Sequence, residues 1–268
     1  MISSYLTLAG NEHGKQPRFT ALERAKAAHA AGIPSIGVLW NEHFDPDILK
    51  YVSVPEAEWF DLSGSLTLEK RAALMTLADW FGVIMIKTGV CTPSVPPWEA
   101  AANLAQLVTE AERRGLTVAV EPVAWGSVPS LSGVESMMSL AGVADNPHVG
   151  VCYDLWQIAN GSRDESWFPE GMNIAKVEVS GIREINFLSP PKSPDVLVSE
   201  AMNRPLVRDS DIDILSWLKV LGFTGPVTHE VPNADLRNMT LMDAALATAK
   251  DMEMIHGREC AHPGCAPG

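Results

Sequence analysis

Basic residues are scarce in this chain: 20 Lys and Arg stand against 33 Asp and Glu, a formal net charge of −13. That balance repels the phosphates of nucleic acid and an anionic membrane surface, so neither is expected as a partner. It leaves room for an anionic small molecule, because a few Arg and Lys can gather locally. Long apolar runs are missing too. Nowhere do about 18 apolar residues follow one another, so no membrane span is expected. The opening Met1-Ile-Ser-Ser-Tyr-Leu lacks a basic region followed by an apolar one and a cleavage site, which makes the cytoplasm the expected location. No linker, low-complexity segment or repeat longer than a strand–helix unit breaks the chain.

What is present is an ordinary globular composition, 46% hydrophobic and 20% charged over 268 residues, enough for a sizeable core. Strand-like and helix-like segments alternate from end to end. Short strands are expected at 5–8, 35–40, 58–62 and 83–86, with helices over 19–31, 46–51 and 66–81. The second half repeats the pattern with strands at 117–121, 149–154, 175–179 and 227–231. Helices are expected there over 98–114, 130–144, 212–221 and 240–256. Asp209, Ser210 and Asp211 are candidate caps for the third of these, and Gly222 ends it. Eight strands, each followed by a helix-like stretch, predict an α/β fold consisting of a single (β/α)8 TIM barrel over residues 1–257. The Pro- and Ser-rich stretch from Arg183 to Arg208 reads as a long loop over the barrel mouth. Residues 258–268, in which Cys260 and Cys265 flank His262, read as a flexible tail rather than a metal knuckle, and Cys152 as a small core residue.

Acids punctuate the late strands. Thr117-Val-Ala-Val-Glu-Pro ends in Glu121, and Pro122 cannot continue sheet pairing. Val149-Gly-Val-Cys-Tyr-Asp ends in Asp154, Ala175-Lys-Val-Glu carries Glu178, and Pro226-Val-Thr-His-Glu ends in Glu230. A charged side chain at the tip of a buried strand is costly unless it is paired or binds a metal. In a barrel these four would converge at the carboxyl-terminal mouth, where barrel active sites lie. Carboxylates so gathered need a divalent cation, shared protons or basic partners. A doubly wound sheet would explain the alternation but not acids facing one point.

Three stretches carry a resemblance: Val-Glu-Pro at Glu121, Pro-His-Val-Gly-Val-Cys-Tyr-Asp-Leu-Trp-Gln through Asp154, and Gly-Phe-Thr-Gly-Pro-Val-Thr-His-Glu-Val through Glu230. With the early helix Leu22 to Gly32 and the later Asp213, Trp217 and Gly222, they resemble the sugar phosphate isomerase/epimerase family of xylose-isomerase-like barrels. The likeness covers most of the chain. It implies one divalent metal (Mn, Mg, Co or Zn) held by Glu121, Asp154, a seventh-strand residue and Glu230. The seventh strand offers Glu178 where that family has histidine or glutamine. Gln157 stands where histidine is frequent, and Gly181 where aspartate is. The resemblance implies an isomerase or epimerase that forms an enediolate from a sugar or related hydroxy-ketone, with Glu121 and Glu230 exchanging the proton from opposite faces.

Two alternatives stay open. The same enolate could expel a β-hydroxyl, making a dehydratase of a cyclic β-hydroxy-ketone of the 3-dehydroshikimate type. The changed ligand set could instead belong to a metal-free or purely binding barrel. An endonuclease of the related endonuclease IV kind needs many histidines, and the chain has 7. Lys87, following the fourth strand, is a candidate anion anchor or acid/base group. His43, Trp125, Gln157, Arg183 and Arg204 are candidate substrate contacts. Trp40 and Trp156 are candidate pocket walls, and His229 should face away from the mouth. Barrels of this kind often pair, so a homo-oligomer is a further candidate.

Overall fold

The computed structural model of the chain describes residues 1–10, 17–43, 45–59, 61–64, 66–161, 171–183 and 191–259. Its strands close into one parallel barrel in the order β1 to β8. These are β1 (Ile2–Ser3), β2 (Ser35–Leu39), β3 (Ser53–Trp59), β4 (Met85–Gly89), β5 (Thr117–Glu121), β6 (Val149–Asp154), β7 (Ile174–Val179) and β8 (Val227–His229). The helices are α1 (Tyr5–Leu8), α2 (Ala21–Ala30), α3 (Leu68–Phe81), α4 (Pro97–Glu112), α5 (Leu131–Leu140), α6 (Leu155–Asn160), α7 (Pro194–Ala201), α8 (Ile214–Leu221), α9 (Ala234–Asn238) and α10 (Leu241–Glu259). No helix among the described residues is long and apolar enough to cross a membrane.

Local chemistry sets the helix ends. Thr20 and Glu23 form a reciprocal capping box on α2, satisfying backbone donors at its start. Asp213 caps α8 by accepting from Leu215 and Ser216 N–H, and Gly222 closes that helix in the left-handed region at φ 64°.

Alternation along the strands divides the core in two. Val118, Val120, Val151, Tyr153, Val177 and Val179 point outward into the large cluster shared with the helices. Met85, Ala119 and Cys152 form a small separate cluster that plugs the barrel axis. One step farther along the inward faces, the side chains become charged.

Two irregularities in pairing turn further charges inward. Between β2 and β3 the register passes from Ser35↔Ser53 to Gly37↔Glu56, so β3 has an extra residue around Val54–Pro55. Proline, lacking an N–H, suits such a bulge. Beyond it Ala57 faces the helices, while Glu56 and Glu58 turn into the barrel and are fully buried. Between β6 and β7 the register passes from Val151↔Ile174 to Cys152↔Lys176, an extra residue at Ala175. The bulge leaves Lys176 and Glu178 facing inward.

The barrel predicted from the sequence is therefore present, with five local corrections. The first strand is Ile2–Ser3, and Tyr5–Leu8 is a helical turn capped by Ser4. The third strand lies earlier than 58–62, at Ser53–Trp59. The fourth is Met85–Gly89, so Lys87 is inside the strand rather than after it. The expected loop between Arg183 and Arg208 contains α7, and the cap of α8 is Asp213 rather than Asp209, Ser210 or Asp211. Cys260, His262 and Cys265 lie outside the described residues.

Candidate active site

Each predicted strand-end acid points to one place. Glu121 ends β5, Asp154 ends β6, Glu178 lies near the end of β7 and Glu230 follows β8; all four are buried. One carboxylate oxygen from each lies within 4.8 Å of the others. Their elements explain the convergence: inward-facing positions at the ends of adjacent parallel strands share one level of the barrel.

Cations stand among them. Lys87 Nζ lies 2.6 Å from Glu230 Oε1, 2.7 Å from Glu178 Oε2 and 3.3 Å from Glu121 Oε2. Its strand partners are Glu58 and Ala119, while Glu121 pairs with Gly89, so the lysine reaches upward from one level below. Arg204 Nη1 lies 2.8 Å from Asp154 Oδ2 and 3.0 Å from Glu230 Oε2, with its guanidinium 5.0 Å from the Trp156 ring centroid. Below, Lys176 pairs with Glu56 and lies 2.7 Å from Glu178 Oε1. Ser4 Oγ lies 3.1 Å from both Glu58 Oε1 and Glu230 Oε1; its single hydrogen serves one at a time.

Arg204 is held there by a close backbone approach. The N–H of Gly181 donates to Pro205 O at 2.9 Å. A Cβ at Gly181 would lie 2.2 Å from Leu206 O, so the residue standing where aspartate was expected is the one that admits this segment. Arg204 N–H donates to Pro232 O, and Asn233 Nδ2 donates to Arg204 O.

The electrostatics follow from burial and neighbours. Burial pushes the Glu121 carboxyl well up; Lys87 opposes this, while Glu178 and Glu230 add to it. Burial raises Asp154 against the pull of Arg204, and raises Glu56 against Lys176. Glu58 is pushed up to about 8 by burial, with Lys87 opposing. At Glu230 the same burial is outweighed by Lys87 and Arg204, which hold it below the usual carboxylate range. Burial would lower Lys87, but Glu121, Glu178 and Glu230 raise it well above an ordinary lysine.

The buried acidic cluster could bind a metal ion, and two observations support the fit. Among the described residues six acids (Glu56, Glu58, Glu121, Asp154, Glu178, Glu230) face three cations (Lys87, Lys176, Arg204). A divalent ion would reduce the formal excess from three negative charges to one. Glu121 Oε1 accepts no hydrogen bond among the described residues. An oxygen-only set suits Mg²⁺ or Mn²⁺ better than softer ions.

The other candidates divide. Gln157 is buried and accepts from Ala124 N–H at 2.9 Å, fixing the loop after β5 rather than opening into the mouth. Trp125, half-buried, follows in that loop. Arg183 is exposed, donating to Asp209 O and lying 3.6 Å from Asp211. His43 lines an open groove of about 540 Å³ with Trp40, Glu42 and Trp80. No hydrogen bond or ion pair among the described residues ties His43 or Arg183 to the carboxylates, so neither joins the cluster. Trp40 packs on Trp59, with ring centroids 4.5 Å apart. His229 faces away from the mouth, and its Nε2 lies 2.8 Å from Asp251 of α10.

Sequence reasoning missed Glu56, Glu58 and Lys176. Their signal was available: Glu56-Ala-Glu58 and Lys176-Val-Glu178 each place two charges on one strand face.

The family description "Xylose isomerase-like TIM barrel" matches residues 75–256. No curated protein matches the chain. Among solved structures, the IOLI protein with a bound zinc atom superposes with TM-score 0.70 at 13% identity, covering 97% of this chain and 99% of its own. The probable 3-DHS dehydratase AsbF of Bacillus anthracis gives 0.65 at 12%, covering 94% and 97%. An L-ribulose 3-epimerase gives 0.61 at 12%, covering 99% of each chain. At these identities the likeness is one of fold.

Proposed function

This chain belongs to the xylose isomerase-like TIM barrel family, and from that premise we propose that it is an isomerase or epimerase. Its small-molecule substrate would be a sugar or related hydroxy-ketone. The observation that carries the reading is the convergence of Glu121, Asp154, Glu178 and Glu230 around Lys87 and Arg204 at the carboxyl-terminal mouth. Proton transfer next to a carbonyl needs a carboxylate to take the proton, a second group to return it, and positive charge where the oxygen becomes anionic.

Glu230 takes the proton. Arg204 contacts its carboxylate and keeps it ionised. Glu121 returns the proton from another side, since β5 and β8 stand three positions apart around the eight-stranded ring. Asp154, fixed by Arg204 and by the N–H groups of Trp156 and Gln157, orients rather than exchanges protons. Glu121, Asp154, Glu178 and Glu230 would hold Mg²⁺ or Mn²⁺. Such an ion supplies the Lewis acidity that polarises a carbonyl and its neighbouring hydroxyl. Arg204 and Trp156, both buried and with the guanidinium over the ring, wall one side of the site.

Incubation of the metal-supplemented protein with a panel of ketoses and polyol ketones in D₂O tests the reading. Loss of the proton signal at the carbon beside the carbonyl is expected. Glu121→Gln and Glu230→Gln should each slow it by about 10²–10⁴-fold. An irreversible rise in enone absorbance would assign the lyase reaction instead, and absence of exchange across the panel would sink the isomerase.

A further inference from the structure

Lys87 lies where a divalent ion would have to lie. Its ammonium is within 3.3 Å of three of the four carboxylates that would hold the ion. An ammonium and a metal ion cannot share that space, because two cations a few ångströms apart in a buried site repel strongly. Either the ion stays out or the lysine moves.

The neighbouring strand offers a place to move to. Glu58 pairs with Lys87 across β3 and β4, at the same level of the barrel. Glu58 is fully buried, yet its Oε2 accepts no hydrogen bond among the described residues. Its other oxygen is engaged, accepting from Tyr5 N–H at 3.1 Å and lying the same distance from Ser4 Oγ. A buried carboxylate oxygen left without a donor is costly to leave unmade.

We propose that Lys87 is a two-position counter-ion: it rests on Glu121, Glu178 and Glu230 when the barrel holds no metal, and transfers to Glu58 when a divalent ion binds. The lysine keeps the metal-free barrel folded by neutralising its acids, and in doing so weakens metal binding. The inference rests on the reading that these carboxylates take a divalent ion. Glu58, which no strand-end pattern singles out, becomes a determinant of metal affinity without being a ligand.

The test is calorimetric titration of chelator-stripped full-length protein with MnCl₂, alongside melting with and without Mn²⁺. Lys87→Met should bind Mn²⁺ at least tenfold more tightly than wild type. It should melt below wild type without the ion and recover with it. Glu58→Gln should bind Mn²⁺ several-fold more weakly, because the displaced lysine loses its acceptor. Lys87→Gln replaces Lys87→Met should the latter fail to fold, and Glu58→Gln is informative by itself. Equal or weaker binding by the lysine variants, or unchanged binding by Glu58→Gln, overturns the two-position counter-ion while leaving the metal reading intact. Absence of Mn²⁺ uptake by wild type and variants alike removes the metal reading, and this inference with it.

Discussion

Lys176 gives the sharpest test of the charged barrel interior. Its side chain is fully buried, paired with Glu56 and 2.7 Å from Glu178 Oε1. Lys176→Met keeps most of the aliphatic stem and removes the charge, leaving Glu56 with no cation in contact among the described residues. Removing one partner of a buried pair costs about 3–5 kcal/mol, because the other charge stays desolvated. For a chain of this size each kcal/mol moves the melting midpoint by about 2–4 °C, so a fall of roughly 6–20 °C is expected. Glu56→Gln alone leaves Lys176 with Glu178 and should cost less, about 1–3 kcal/mol. The double variant removes both members and should recover much of the loss, since replacing a whole buried pair with neutral groups is often close to neutral. Scanning calorimetry of the four proteins at pH 7, in the presence of a chelator, completes the cycle. A single-variant loss under about 1 kcal/mol, or strict additivity, would refute the pairing as a source of stability.

Gly181→Ala should destabilise by about 1–3 kcal/mol, because the new methyl meets the Leu206 carbonyl and the segment must shift. It should also weaken Mn²⁺ binding through displacement of Arg204; a variant matching wild type in both measurements would show that the close approach is dispensable. Asp251→Asn should cost about 1–3 kcal/mol at pH 7, since Asp251 accepts from Val207 and Arg208 N–H and pairs with His229. Burial raises this carboxyl, but the hydrogen bond from His229 and the backbone donors outweigh it and hold it below its ordinary value. Its contribution is therefore full above the unfolded value of about 3.9 and is lost as pH falls through the lower folded value. The gap in melting midpoint between wild type and variant should shrink below about pH 4; a gap constant down to pH 3 would contradict the assignment.

How much of this was legible follows from the range of the interactions involved. Helix stops such as Gly82 and Gly222, the alternation of strand and helix, and an acid before proline at Glu121 are local patterns, written in neighbouring residues. They were sufficient to predict the barrel, and to place Glu121, Asp154, Glu178 and Glu230 at one mouth. The direction in which Glu56, Glu58 and Lys176 point depends on extra residues at Val54–Pro55 and Ala175, and a bulge exists only relative to the strand beside it. The partners of Lys87 and Arg204 lie up to 143 positions away along the chain, a pairing no local window contains. The sequence by itself determined that carboxylates would gather at the end of a barrel. Tertiary structure alone decided which cations stand among them, because register and burial arise only when distant strands meet.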